Sequence, residues 1–306
     1  MKCYTLSFFD VIETSLLVRS DMLILDGKIV AQKIKTQITE QAHEFEKKFG
    51  RKPGLGVIIV GEDPASHVYV KNKEIACNAV NFHSSRIQLP SSATEEELLQ
   101  AIQGMNQNQQ IDAFLVQMPL PSHLRSDRML DAIDPMKDAD GLHPINMGYL
   151  WVNRKRVAPC TPWGVMKILE HYQISPKGKR CVVVGRSQIV GRPMAHLLTM
   201  ADGTVTLCHS RTPNMREYTK EADIVVVAAG QKHLLGRDDF KKDAIIIDVG
   251  IHGSGQGKGV TGDVRFLELD GHISAATPVP GGVGPMTIAC LLENTLTLAQ
   301  LKKQHN

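Results

Sequence analysis

At 306 residues the chain is long enough for two domains of ordinary size, and its 42% hydrophobic and 22% charged content is that of a globular protein. A formal charge of +3, with basic residues scattered, excludes the clustered stripe of a nucleic-acid reader, and no apolar run reaches membrane-spanning length. The six cysteines (Cys3, Cys77, Cys160, Cys181, Cys208 and Cys290) form no C-x-x-C pair and read as buried thiols of a reducing compartment, which makes the cytoplasm the expected location.

Residues 1–21 hold a short apolar stretch broken by Asp10 and Glu13, with no small-residue cleavage site. They read as an N-terminal extension rather than a secretory or transit signal. From Met22 onward, helical and strand patterns alternate. Ile34, Ile38, Phe45 and Phe49 mark a helical stripe that Gly50 and Pro53 end. Residues 55–61 (LGVIIVG) read as a buried strand, 64–80 as a helix with proline in its first turn, and 86–89 as a strand. Thr94 and Glu97 form a capping box for the next helix. Residues 111–117 (IDAFLVQ) give a strand that stops at MPLP, and Thr161-Pro162 open a helix running to about Tyr172. Four apolar runs follow, at 181–185, 204–209, 223–230 and 243–250, separated by helix-length segments, and Pro285-Met286 open a last helix. This alternation implies parallel sheets with right-handed crossovers. The expected fold class is α/β, as two α/β domains with a boundary near residues 145–165.

The first of those four runs breaks into a glycine turn, VVVGRSQIVGRP (182–193). Gly185 permits the tight turn, Gly191 lets a helix pack closely, and the amides of that helix's first turn can face a phosphate. Serine replaces the middle glycine of G-x-G-x-x-G and the last glycine falls one place late, so the motif alone also fits a plain β-α turn. The next strand strengthens the nucleotide reading. NAD enzymes carry an acid at its end to bind the ribose hydroxyls, but TVTLCH runs into Ser210-Arg211-Thr212 with no acid. A carboxylate repels a 2′-phosphate, whereas hydroxyls and guanidinium groups receive it. Arg186 thereby gains a role, and NADP is favoured over NAD.

In the N-terminal half, Ser66, Tyr69 and Lys73 fall on one helical face, a pattern that an ordinary solvated face also gives. The Tyr-x-x-x-Lys of short-chain dehydrogenases follows their glycine turn, whereas here it comes far ahead of it, so that assignment fails. Gln117 stands at a strand's carboxyl end. Asp138-Ala-Asp140-Gly141 resembles part of a calcium loop but lacks the closing glutamate, and the twelve histidines show no H-E-x-x-H spacing, so no metal is expected. TPVPGGVGPMT (277–287) holds three prolines and three glycines, a rigid turn whose backbone can touch a flat ligand.

Six stretches occur in order: SHVYVKNK (66–73), VQMPLP (116–121), KDADGLHP (137–144), PCTPWG (159–164), VVVGRSQIVGRPM (182–194) and PVPGGVGPMT (278–287). In these the chain resembles the bifunctional methylenetetrahydrofolate dehydrogenase/methenyltetrahydrofolate cyclohydrolase family, over essentially everything from Met22 onward. The resemblance implies a catalytic domain at 22–162, completed by a C-terminal helix at 285–306, and a Rossmann-like NADP-binding domain at 163–284, with folate in the cleft between them. It implies that Lys73, Gln117, Tyr69 and Asp140 serve catalysis. Lys73 would be the base or proton relay, tuned by Gln117, with Tyr69 packing on the substrate and Asp140 accepting hydrogen bonds from the pterin. Ser66, Pro280, Gly281, Gly282 and Val283 would complete the folate site. Gly185, Arg186, Ser187, Ile189, Val190, Gly191, Ser210, Arg211, Gly230 and Ile251 would meet the cofactor. The departures are the extension and His252, where relatives often have asparagine.

The implied activity is NADP-dependent oxidation of methylenetetrahydrofolate to methenyltetrahydrofolate, then hydrolysis to formyltetrahydrofolate. Two alternatives stay open. One is a monofunctional dehydrogenase of the same family, which Lys73 and Gln117 argue against; the other is a catalytically silent NADP-binding module. The expected partners are a small folate and a second copy in a homodimer, with neither nucleic acid nor membrane.

Overall fold

The structure, a computed structural model, describes residues 22–253 and 259–304. The extension expected at 1–21 lies outside the described residues.

Local sequence sets the first unit. After the short strand β1 (Leu23–Ile24), helix α1 (Gly27–Phe49) starts where the Asp26 carboxylate accepts the N–H of Lys28 at 2.7 Å, and it ends at Gly50 in the left-handed region. Val30, Ile34, Ile38 and Phe45 are buried along it, while Phe49 is half-buried with its ring 4.7 Å from that of Phe45. Strand β2 (Gly54–Val60), helix α2 (Pro64–Ala79), strand β3 (His83–Leu89), helix α3 (Glu95–Gln107) and strand β4 (Ala113–Val116) follow. The Thr94–Glu97 capping box forms as expected, with Thr94 N–H donating to Glu97 Oε2 at 2.7 Å and Glu97 N–H to Thr94 Oγ1 at 3.2 Å. The three strands make a parallel sheet in the order β3-β2-β4.

Helices α4 (Ser126–Asp131), α5 (Pro144–Trp151) and α6 (Cys160–His171) then lead to the second unit. It contains β5 (Arg180–Val184), α7 (Gly191–Met200), β6 (Thr204–Cys208), α8 (Met215–Thr219), β7 (Ile224–Val227), β8 (Ile245–Asp248), the β9/β10 ribbon (His252–Gly253, Val260–Thr261) and β11 (Ala275–Ala276). Its six-stranded sheet is parallel at every pairing, in the order β1-β11-β8-β7-β5-β6. Both faces are covered, so the strands read as apolar runs rather than alternating ones. Val183 and Val226 face the central core while Val182, Val184, Val225 and Val227 face a second cluster on the far side. The last helix, α9 (Val283–Gln304), packs along α1 and α6 and reaches β2 and β4. Its buried Met286, Ala289, Leu291 and Leu292 therefore join both units in one core.

Two expectations change. Only α7 is a full crossover helix among those joining the four apolar runs. The β6–β7 connection holds the five-residue α8, and the β7–β8 connection a single 3-10 turn at Arg237–Asp239. Pro213 before Asn214 (φ 47°), and His233 (φ 56°), interrupt those segments before a helix can propagate. The division by chain order is also crossed, because Leu23 and Ile24 pair with Ala275 and Ala276 at the edge of the second sheet. A two-residue strand has too few residues for periodicity to mark its sheet.

Candidate active site

Helix α2 carries the first group of candidate residues. Its N-cap Asp63 accepts both the N–H (2.8 Å) and the hydroxyl (2.7 Å) of Ser66, which is buried at 5% exposure. Ser66 thus fixes the helix start and presents no hydroxyl proton outward. One and two turns on, Tyr69 is 43% exposed and Lys73 half-buried. The Lys73 ammonium donates to Gln117 Oε1 at 2.9 Å, and Gln117, just past the end of β4, is itself oriented by donating Nε2–H to the Met118 carbonyl at 2.7 Å. A helix and a strand end 44 residues apart in sequence thereby meet at one nitrogen.

Asp140 lies near enough for its charge to interact with that of Lys73. Burial pushes its carboxyl above the usual carboxylate range; the Lys73 charge pulls it down and Asp138 adds to the push. Asp138 has a different job. Its carboxylate accepts the N–H groups of Gly141 (3.0 Å) and His143 (2.8 Å) and the Asn146 amide (2.9 Å), so it shapes the loop that presents Asp140.

The second group surrounds the carboxyl ends of β5, β6 and β7, where the strand order reverses. Gly185, Arg186, Ser187, His209, Ser210, Thr212, Ala228, Ala229 and Gln231 line a cavity of about 350 Å³ there, and no carboxylate is among its lining residues. Gly185 has φ 120°, and a Cβ on it would stand 2.0 Å from the Ala228 carbonyl oxygen. Ser187 Oγ accepts the N–H groups of Val190 (3.2 Å) and Gly191 (3.3 Å) and so caps the helix that starts there. The absence of an acid, with Arg186 and two serine hydroxyls present, suits a phosphorylated ribose. Ile189, Val190, Gly191, Arg211 and Gly230 do not line this cavity, although Gly191 packs against the Gly185 carbonyl.

The proline-glycine turn forms the third group. Pro280, Gly281, Gly282 and Val283 line a smaller cavity of about 170 Å³ together with Lys28 and Ile251. Gly27 N–H donates to the Gly281 carbonyl at 2.9 Å, and Thr161 Oγ1 lies 3.1 Å from Thr287 Oγ1, so this wall is tied to α1 and α6.

Comparison with known proteins shows the family of the chain. The model of the tetrahydrofolate dehydrogenase/cyclohydrolase catalytic domain matches residues 25–140, and that of the family's NAD(P)-binding domain matches residues 159–303. The chain belongs to the tetrahydrofolate dehydrogenase/cyclohydrolase family. It is 57% identical to the bifunctional protein FolD of Bdellovibrio bacteriovorus, over 91% of this chain and 97% of that relative. Among solved structures it is similar to the bifunctional FolD enzyme of Campylobacter jejuni (45% identity, TM-score 0.89, 92% of this chain and 99% of that one). It is equally similar in fold to the Trypanosoma brucei FolD enzyme complexed with NADP cofactor and inhibitor (38% identity, TM-score 0.89, 92% and 99%).

Within this tetrahydrofolate dehydrogenase/cyclohydrolase, sequence reasoning passed over two buried carboxylates, Asp248, which lines the smaller cavity, and Asp263, bonded to the wall of the larger one. Asp248, at the end of β8, accepts the N–H groups of Gly250 (2.9 Å), Asp263 (3.0 Å) and Val264 (2.9 Å). Asp263 in turn accepts from Ala229, Gly230 and His252. Their signal in sequence is faint: an aspartate after an apolar strand and one inside Gly262-Asp263-Val264, neither with periodicity.

Burial pushes the Asp248 carboxyl up from 3.8 to about 6, against its three hydrogen bonds, with Asp263 adding to the push. A raised folded value means that the stability contributed by this group is complete below pH 3.8 and lost as pH rises through about 6. A carbon-detected NMR titration of the folded protein is expected to show an aspartate with a midpoint near 6. Ordinary midpoints for every aspartate would contradict the assignment.

Proposed function

We propose that this chain oxidises methylenetetrahydrofolate to methenyltetrahydrofolate with NADP and then hydrolyses the product to formyltetrahydrofolate, both at the site around Lys73. The observation that carries the second step is the Lys73–Gln117 hydrogen bond beside Asp140. One N–H of Lys73 is anchored on Gln117, which fixes the direction in which the rest of the amine points. In its neutral form that amine takes a proton from the attacking water, directly or through a relay. Tyr69, exposed one turn earlier, offers a flat surface for the pterin, and the half-buried carboxylate of Asp140 receives the pterin's amino and ring N–H groups. Gly281, Gly282 and Val283 would add a further wall to the folate site.

NADP, when bound, supplies the hydride acceptor. Gly185, Arg186, Ser187 and Ser210 would hold it in the carboxylate-free cavity, with Ile251, which lines the smaller cavity, meeting it from there. The protein's part in this step is positioning, because the substrate's own nitrogens stabilise the charge left by hydride loss. In this reading residues 22–162 with the helix at 285–306 form the catalytic unit, and 163–284 the cofactor unit, with β1 lending an edge strand to the latter. The protein acts as a cytoplasmic homodimer; the five described cysteines, all free and buried, fit a reducing compartment. Light scattering on the purified protein tests the dimer.

The deciding assay supplies methylenetetrahydrofolate and NADP and follows two signals, NADPH absorbance for the first step and decay of the methenyl chromophore for the second. NADPH without methenyl decay would leave a monofunctional dehydrogenase; neither signal would leave a nucleotide-binding module. Replacement of Arg186 by alanine is expected to weaken NADP by about 1.5–3 kcal/mol, the worth of a hydrogen bond to a charged group, and to leave NAD almost unchanged. Equal catalytic efficiency with NADP and NAD in the parent enzyme would refute the phosphate role.

A further inference from the structure

Past the end of β7, Ala228 and Ala229 line the larger cavity, and with the Gly230 that follows they form a segment with no side chain able to hold its own position. Its backbone must nevertheless be fixed, because the Ala228 carbonyl closes against Gly185 so tightly that no Cβ fits between them. The fixing group comes from behind. Asp263, with no exposed surface, directs Oδ2 at the N–H groups of Ala229 (2.7 Å) and Gly230 (3.0 Å). Its other oxygen, Oδ1, accepts from Nε2 of His252 at 2.7 Å. The Asp263 backbone is held as well, its N–H on Asp248 Oδ1 at 3.0 Å, and a Cβ on Gly250 would come within 2.4 Å of Asp263 Oδ1. The carboxylate therefore has room for one orientation. His252, half-buried on β9, is the side chain that engages its second oxygen.

We propose that His252 and Asp263 are a positioning pair for the cofactor: His252 orients the Asp263 carboxylate, which through the Ala229 and Gly230 amides sets the Ala228–Ala229 wall and with it the affinity for NADP, with neither residue touching the cofactor. The inference rests on the placement of NADP in this cavity. A buried carboxylate that loses a donor seeks another, and the amides of Ala229 and Gly230 follow it. Small displacements of a binding wall remote from the chemistry weaken binding without altering the reacting groups.

The test uses full-length protein and three variants, His252→Ala, His252→Gln and Arg186→Ala. Glutamine places an amide donor near the position of the imidazole Nε2, so it separates loss of the donor from loss of the ring. NADP binding is measured by calorimetry, dehydrogenase kcat and KM for NADP by absorbance, and methenyl hydrolysis without cofactor on the same preparations. His252→Ala is expected to raise Kd and KM for NADP roughly three- to tenfold, with kcat at saturation and cofactor-free hydrolysis held within about twofold. His252→Gln is expected to recover most of the affinity. Unchanged NADP affinity in His252→Ala overturns the proposal. So does a joint fall of NADP affinity, hydrolysis and melting temperature that glutamine does not rescue, which marks a structural role only. Normal NADP binding by Arg186→Ala overturns the cavity assignment itself, and the pair's role falls with it.

Discussion

Lys73→Met is expected to abolish hydrolysis of the methenyl substrate while dehydrogenase activity survives in part. Methionine keeps most of the side-chain volume and removes only the amine, so α2 retains its packing. The two reactions ask different things of that amine. Attack of water on the methenyl carbon needs a proton taken away, and a positioned base of this kind contributes about 10²–10⁴-fold. Hydride transfer moves no such proton, so its loss is limited to whatever Lys73 adds to substrate orientation. Removal of Lys73 also releases Gln117 Oε1, which now accepts the ammonium at 2.9 Å. Gln117 still donates to the Met118 carbonyl, so the strand end is expected to stay in place. Both rates are measured on one preparation whose melting temperature matches the parent. Methenyl hydrolysis near the parent rate would sink the assignment of Lys73 as the base.

Gly185→Ala is expected to cost about 2–5 kcal/mol of stability and most of the NADP affinity. Two effects act together: a φ of 120°, which L side chains avoid, and a Cβ that would lie 2.0 Å from the Ala228 oxygen. Neither partner can yield. Ala228 N–H is bonded to the Val184 carbonyl at 2.7 Å and Gly185 N–H to the Cys208 carbonyl at 2.9 Å, so each lies within the parallel ladder. Gly178 supplies the control, because it has φ 69° with nothing within 4 Å of its Cβ position. Gly178→Ala should therefore cost only the backbone term of about 1–2 kcal/mol. Thermal melts of the two variants separate strain from close approach. If they melt within a degree of each other, the Gly185–Ala228 contact is not as tight as the structure has it.

Patterns confined to a few neighbouring residues were legible in the sequence. The stripe on α1, the capping box at Thr94, the apolar runs of β2, β5, β7 and β8, and the glycine turn at Gly185 each depend on residues close together in the chain. So did the choice of NADP, since the missing acid after β6 is a local fact. The polar residues proposed for the chemistry, Tyr69, Lys73, Gln117 and Asp140, could be picked out, but the spacing of Tyr69 and Lys73 alone matched an ordinary helix face. Their joint meaning came from resemblance across six stretches.

The tertiary structure decided what depends on pairs far apart in sequence. Nothing local to Lys73 specifies Gln117 as its partner; the parallel pairing of β2 with β4 and the packing of α2 bring them together. Ser66 looked like a third member of the helical face, yet Asp63 takes its hydroxyl into the helix cap. Leu23 and Ile24 join a sheet whose other strands begin at residue 180, because an open parallel edge accepts any extended backbone that reaches it. The pairing of Asp263 with His252 and its hold on Ala229 and Gly230 likewise could not be read from the sequence. Backbone amides are the same at every residue, so a sequence shows which carboxylates are available but not which amides they will find. Local propensity and apolar periodicity are written residue by residue, whereas the partner of a buried polar group is chosen only when the chain closes around it.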